Sequence, residues 1–337
     1  MNVALMGYKN HFNNNVGTGI SKYMYSISKS LLKIRNTDYN IKIVPFSNRY
    51  NYFFALNSKT LKNYDILHNL TYGPTLPFNK NGRIFITTVH DFRSILDYKF
   101  LAGKNLEEKI LSSFWGPLGS RLALFSDYLI ANSTLTKADA IKLGFSKENI
   151  FVTNLGIDNK FSSGSINNAK KDFKIGYLGG SDLLNLTKCF NTSVTDHDIY
   201  LSLWGRSSTE NKLFAIASKD KRIVLNGFVP ENKKVEVYDS FSVFISLTKY
   251  EGFGFPILEA QARGIPVIIY KDAKIPKEVK KYCIMAKDEF EMFELAKKIK
   301  GRGYNNDLRI KMMKYARSFT WEKCARETLE VYKKVLG

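Results

Sequence analysis

Residues 243–266 constrain the fold more than any other stretch of this chain. Val243, Phe244, Ile245, Ser246 and Leu247 form a short apolar run, the pattern of a buried strand. Ala260, Gln261, Ala262 and Arg263 lead into Gly264 and, one residue on, Pro266, which end a helix because glycine takes a left-handed cap and proline cannot continue. Between the two lie Glu251, Gly252, Phe253, Gly254, Phe255, Pro256 and Glu259. The order is therefore strand, glycine-rich turn, helix. Pro256 is expected at the first helical position, where its missing N–H has no partner to lose.

The chemistry of such a turn follows from its parts. Gly252 and Gly254 let the main chain approach a ligand closely. The first amides of the helix are donors at the positive end of its dipole, a site for an anion such as a phosphate. Glu259, expected in the first helical turn, can accept from two neighbouring hydroxyls, as a ribose would offer. Glu251 can grip the hydroxyls of a second polar group. The same residues would also serve a plain turn with a glutamate that favours the dipole.

The stretch resembles the paired-glutamate signature of retaining GT-B glycosyltransferases of the family 4 type (glycosyl transferases group 1). That family includes sucrose synthases and many lipid and polysaccharide mannosyl- and glucosyltransferases. The resemblance implies an α/β GT-B fold, with two Rossmann-like domains facing each other across a cleft and a C-terminal helix crossing back to the first. The implied domains are 1–160, an acceptor-side domain; 172–318, the nucleotide-sugar domain; and 319–337, the returning helix. By resemblance Glu251 and the amides of Gly252, Phe253, Gly254 and Phe255 hold the donor sugar and phosphates, and Glu259 holds the ribose.

The rest of the chain fits strands alternating with helices, the pattern of a parallel sheet with ligands beyond its carboxyl ends. Strands are expected at residues 3–6, 41–46, 64–70, 83–89, 127–133 and 149–158. A helix opens near Gly17 and Gly19 and runs to about residue 34, with Ile20, Met24, Ile27, Leu31 and Ile34 on its buried face. A second helix follows Ser133 or Thr134 and is closed by Gly144. The resemblance places the Gly17–Gly19 loop near the donor phosphates. His90, followed by Asp91 at a strand end, matches the family's His-Asp motif, whose histidine lies beside the donor sugar. A lone histidine is more often structural. His68 is a weaker candidate, and His11 and His197 take no role.

Residues 159–171 are polar and read as a linker. A second sheet begins at residues 173–178. Its first loop departs from the family: Leu183 and Leu184 stand where an Arg and a Lys neutralise the donor diphosphate. Arg206 is the first choice to replace them, ahead of Lys188 and Lys249. The turn at Phe228 is implied to contact the base. Thr320 and Lys323 have cap spacing at the start of the last helix.

The formal net charge is +20. It is spread evenly, with 20 basic against 10 acidic residues in 1–165 and 31 against 21 in 166–337. Such an excess attracts polyanions, although a Lys-rich codon bias gives the same count. Residues 92–125 interleave aromatic and basic side chains, as a membrane-surface segment or a helix packed on the sheet would. Cys189, Cys283 and Cys324 are odd in number and far apart, which suits reduced thiols of a cytoplasmic protein with no metal site. The expected activity is metal-independent transfer of a hexose, with retention, from a nucleotide-diphosphate sugar of UDP or GDP type to a hydroxyl acceptor. No further cofactor is expected. The acceptor would be a glycan or a lipid-linked or protein-linked group, met in the cytoplasm or at the inner membrane face. The alternative is a degenerate GT-B binding protein that uses its basic surface for nucleic acid or an anionic membrane.

Overall fold

The computed structural model describes residues 1–13, 18–34, 38–55, 59–71, 80, 82–96, 117–163, 172–179, 183–205 and 210–337. They form two compact units, residues 1–156 together with 319–337, and residues 157–318.

The first unit holds a six-stranded parallel sheet. Its strands are β1 (Asn2–Tyr8), β2 (Asn40–Phe46), β3 (Ile66–Asn69), β4 (Ile84–Val89), β5 (Tyr128–Ala131) and β6 (Ile150–Val152). Their spatial order is β2-β1-β3-β4-β5-β6. Central strands read as unbroken apolar runs because both faces are covered: Val3, Ala4, Leu5 and Met6 are all fully buried. The last strand stops six residues before the expected end. Beyond it the chain turns so that Gly156 meets the start of the final helix, where a Cβ would stand 2.1 Å from the Trp321 amide nitrogen. Glycine is required there by space, not by φ.

Helix α1 (Gly19–Lys33) is capped by Thr18, whose hydroxyl accepts from the Ser21 amide. Met24, Ile27 and Leu31 are buried as their spacing predicts, while Ile20 and Ile34 are only half-buried. Helix α2 (Thr134–Lys142) is capped by Ser133. The terminal helix, named α8 below, spans Trp321–Val335 and packs on α1. It begins with Thr320 accepting from the Lys323 amide at 3.1 Å. Its inner face buries Trp321, Leu329, Tyr332 and Val335, and each such side chain is worth roughly 1.5–3 kcal/mol of burial.

The second unit holds β7 (Phe173–Leu178), β8 (Ile199–Trp204), β9 (Ile223–Leu225), β10 (Val243–Ser246), β11 (Val267–Tyr270) and β12 (Ile284–Ala286), again all parallel. The order is β12-β11-β10-β7-β8-β9. Counted within the unit, this is the doubly wound order in which the strand sequence reverses between β7 and β10. Its helices include α3 (Leu184–Ser193), α4 (Lys234–Ser240), α5 (Phe255–Ala262), α6 (Glu289–Arg302) and α7 (Asn306–Arg317).

The polar stretch expected to link the domains from residue 159 is in part structured. Asn159–Ser162 makes one helical turn inside the second unit. Phe161 is fully buried, its ring edge-on to Tyr238 at 5.8 Å, and Lys160 bonds Glu231 at 2.9 Å. One aromatic anchor outweighs the polar composition around it. The rest of that stretch, 164–171, lies outside the described residues, as does most of the aromatic and basic stretch, 97–116. Among the described residues no helix is long and apolar enough to cross a membrane.

Candidate functional site

Open α/β sheets bind ligands beyond the carboxyl ends of their strands, where the strand order reverses. In the second unit that point lies between β7 and β10, and the glycine turn that leads into α5 follows β10. Residues 249–251 are tied down by the main chain. The Glu251 amide donates to Lys274 O at 3.0 Å, and the Lys274 amide donates to Lys249 O at 2.8 Å. The turn is thus fixed from outside before the glycines begin.

Gly254 is the N-cap of α5, with φ 103° and ψ 56°. This left-handed backbone excludes ordinary L-residues at a cost of about 1–2 kcal/mol. A Cβ there would also stand 3.3 Å from Val279 Cγ1. Phe255 is the first helical residue and Pro256 the second, one position later than expected. A helix leaves its first amides without partners inside the helix, and those of α5 open at the carboxyl edge of the sheet. Gly252 and Phe253 are buried, and the Phe253 and Phe255 rings meet edge-on at 5.4 Å.

The two glutamates differ in setting. Glu251 is half-buried, and its Oε1 accepts from the Thr248 hydroxyl at 3.3 Å. Glu259 is 1 % exposed and lies in the second turn of α5, not the first, because the helix starts at Phe255. Its Oε2 accepts from the Tyr238 hydroxyl at 3.0 Å. Burial, reinforced by the adjacent Glu259 charge, raises the Tyr238 pKa far above its ordinary value, so the phenol stays a donor. A buried carboxylate needs such a donor. Every residue from Ile257 to Ala262 is buried, because α5 is also held from behind. Arg263 makes a two-point ion pair with Asp239 at 2.7 and 2.8 Å, and the Arg317 guanidinium donates to Ala262 O.

The loops after β7, β8 and β9 begin or turn on glycine. The Gly179 amide donates to Trp204 O, and the Gly205 amide donates to Gly227 O at 2.6 Å. Gly205 has φ 126°, and a Cβ there would lie 1.9 Å from Gly179 O. Phe228 follows Gly227 and is 64 % exposed, a large aromatic at the sheet's carboxyl edge. Leu183 is buried and stands at the N-cap of α3. Among the cations considered for the diphosphate, Lys188 and Lys249 are exposed. Lys249 Nζ lies 5.5 Å over the Tyr270 ring, and Tyr270 donates to Glu289 at 2.7 Å. Arg206, the first choice, lies outside the described residues, as does Gly17. Lys271, Lys274, Lys277 and Lys281 are exposed, a solvated basic face.

In the first unit, Gly19 is the exposed first residue of α1. His90 follows β4 at its carboxyl end and is 7 % exposed. Its Nε2 lies 3.0 Å from Leu70 O. A carbonyl only accepts, so Nε2 carries the proton. The Tyr23 ring meets His90 edge-on at 4.8 Å, and the His90 carbonyl accepts from Asn132 at 2.9 Å. Burial lowers the His90 pKa below the ordinary histidine value, so the ring is neutral. His68, the weaker candidate, is committed to the core. It is fully buried, with Nδ1 2.6 Å from the Tyr332 hydroxyl and Nε2 2.8 Å from Thr88 Oγ1. Tyr23 reaches the same Thr88 oxygen at 2.9 Å. Burial pushes the His68 pKa down to about 3.

Sequence reasoning missed Tyr238. Nothing local marks Tyr238 as the partner of Glu259. His11 lies in a one-turn helix, Lys9–Phe12, that follows β1 directly. Burial raises the pKa of the Cys283 and Cys324 thiols to about 12 and also raises that of Cys189.

In the solved structure of Anabaena HepE in complex with UDP, the alignment covers 99% of this chain and 100% of that one, with a TM-score of 0.70 and 13% identity. Sucrose-phosphate synthase from Thermosynechococcus elongatus aligns over 100% of this chain and 99% of its own, with a TM-score of 0.68 and 14% identity. The fold is GT-B. At such identities the likeness speaks for the GT-B fold alone. Residues 182–319 match the family described as Glycosyl transferases group 1, so the matched segment contains the whole turn at Glu251–Glu259. The O-antigen biosynthesis glycosyltransferase WclY of Escherichia coli is 28% identical over 228 residues, 62% of this chain and 61% of that protein. O-antigen chain mannosyltransferase B of Escherichia coli is 26% identical over 110 residues, 32% of this chain and 29% of its own. The chain thus spans about three fifths or less of the length of these curated relatives.

Proposed function

We propose that this protein is a glycosyltransferase that moves a hexose from a nucleotide-diphosphate sugar, of UDP or GDP type, to a hydroxyl of a glycan or lipid-linked acceptor, retaining configuration and using no metal. The observation that carries the reading is the Gly254 cap. It aims the first amides of α5 at the point where the second sheet reverses its strand order, inside the segment matched by the family. Donors fixed in place stabilise a departing diphosphate without reorganising as charge develops.

In this reading Glu251 holds the sugar hydroxyls, and the turn from Gly252 to Phe255 holds the phosphates. Phe228 lies at the base. His90, carried by its resemblance to the family's His-Asp motif, takes part as a neutral ring rather than a cation. Glu259 holds the ribose. Since it is closed from solvent here, that contact requires its side chain to turn away from Tyr238. Lys249 or Arg206 supplies the charge that Leu183 and Leu184 do not.

Calorimetric titration with UDP, GDP and ADP tests the reading. One of the three is expected to bind. Gly254→Ala should weaken it about tenfold, the equivalent of the left-handed strain. Glu259→Gln should weaken it further than Glu251→Gln if the ribose contact is made. Binding of none of the three nucleotides to the folded protein would sink the proposal. Product anomers read by NMR would decide between retention and inversion.

A further inference from the structure

Tyr238, on α4, meets the glycine-turn helix α5 through a single polar atom. Its hydroxyl donates to Glu259 Oε2 at 3.0 Å, its one hydrogen bond among the described residues. Both side chains are closed from solvent: Tyr238 is fully buried and Glu259 is 1 % exposed. A carboxylate in that position cannot meet a ligand hydroxyl until it turns.

The phenol ring is not free to follow it. Phe161, Phe241 and Phe244 all meet the Tyr238 ring edge-on, with centroids at 5.8, 6.1 and 5.7 Å. Phe161 is itself fully buried, in the turn where the chain enters the second unit. Side chains packed to this density move little. When Glu259 turns, the bond therefore breaks outright, and the hydroxyl is left buried without an acceptor. Whatever draws Glu259 out must meet both costs, a lost hydrogen bond to a carboxylate and an unsatisfied buried donor.

We infer that Tyr238 is a positioning residue that acts through Glu259: it latches the carboxylate in a closed, buried position and so limits how tightly the nucleotide is held. The inference rests on the transferase reading for the word nucleotide, whereas the latch itself does not. A latch has a signature that a purely structural tyrosine lacks. Removing the hydroxyl should lower stability and raise affinity together, because the bond that secures the core is the one that opposes the ligand.

Tyr238→Phe keeps the ring and removes the hydroxyl. Two readouts follow it: carbodiimide labelling of Glu259 with glycine ethyl ester, mapped by mass spectrometry, and calorimetric titration with UDP, GDP and ADP. In the parent, Glu259 should stay unlabelled. In Tyr238→Phe it should be labelled, the nucleotide that binds the parent should bind about tenfold tighter or more, and Tm should fall. In a Glu259→Ala background the same substitution should leave affinity unchanged, since nothing remains to be latched. Phe161→Leu loosens the ring but keeps its hydroxyl. It should move labelling and affinity the same way by a smaller factor, and it carries the test if Tyr238→Phe does not fold. A nucleotide that binds the parent and binds the variants no tighter overturns the inference, as does a Glu259 that stays unlabelled in both. Labelling released by Tyr238→Phe, with no nucleotide bound by parent or variant, would overturn the donor reading and keep the latch.

Discussion

The two sheets reverse their strand order at comparable points and furnish them in opposite ways. The second unit builds its edge from main chain. Gly179, Gly205, Gly227 and Gly254 bring backbone donors and carbonyls together, with a Cβ excluded by the main chain at Gly205 and a left-handed φ at Gly205, Gly227 and Gly254. The first unit builds its edge from side chains that converge from far apart. Tyr23, His68, Thr88 and Tyr332 share one buried network that joins α1, β3, β4 and α8. A site made of backbone is fixed by local geometry and presents fixed dipoles. A site made of side chains is tuned by burial, as the lowered proton affinities of His68 and His90 show.

The comparison predicts unequal responses to small substitutions. The largest belongs to the second unit. Gly205→Ala adds one methyl that would sit 1.9 Å from Gly179 O at a φ of 126°, so a loss of at least ~3 kcal/mol is expected. Thermal unfolding would show it, and a Tm within a degree of the parent would mean that the loops give way freely.

Next is the first unit's network. Thr88→Val keeps the volume and strands both the Tyr23 hydroxyl and His68 Nε2. About 2–3 kcal/mol should be lost, read as a shift in the denaturant midpoint. An unchanged midpoint would show that the hydrogen bonds are not what holds α8.

Acid provides the third test. The unfolded chain protonates His68 below pH 6.5, whereas the folded chain resists to about 3. The unfolded state therefore binds more protons across that window, and stability falls as the pH drops. His68 accounts for up to one proton, about 1.4 kcal/mol per pH unit, and His90 and His11 are shifted the same way. Denaturation between pH 6.5 and 5, above the carboxylate range, isolates the histidines. A flat profile there would refute the burial of a neutral His68, and His68→Gln should flatten it by one proton.

The smallest effect is expected at the surface. Arg326 pairs with Glu322 on α8, but both are mostly exposed. Arg326→Ala should change stability by less than about 0.5 kcal/mol, and a larger loss would give the outer face of α8 an unrecognised role.

The same contrast explains what could be read in advance. The second unit's glycine turn was legible because a turn made of backbone has to be encoded locally: Gly252, Gly254, Pro256 and the two glutamates lie within nine residues. The strands were legible where they are buried on both faces, as at 243–246 and 173–178. The boundary errors were at ends fixed by packing. The strand at 150–152 stops short because Gly156 must meet Trp321, and the turn at Asn159–Ser162 exists because Phe161 found Tyr238. The role of His68 could not be read at all. Its partner Tyr332 is 264 positions away, and no pattern in either neighbourhood announces the other. Glu259 was singled out, but its helical turn and its tie to Tyr238 were not legible, since a one-residue shift in the start of α5 decides the first and tertiary packing the second.

The order of synthesis gives the helix at Trp321–Val335 a further meaning. The first unit's core is completed by residues made only after the whole of 157–318 has been synthesised. Until then His68, the Gly156 main chain and the inner face of α1 lack their covering, while the second unit already has every strand of its sheet. The nascent chain should therefore fold its second sheet to completion before its first, the reverse of the usual N-to-C sequence of domain folding. The interval in which the first unit's apolar surface stands open is set by translation through those 162 residues.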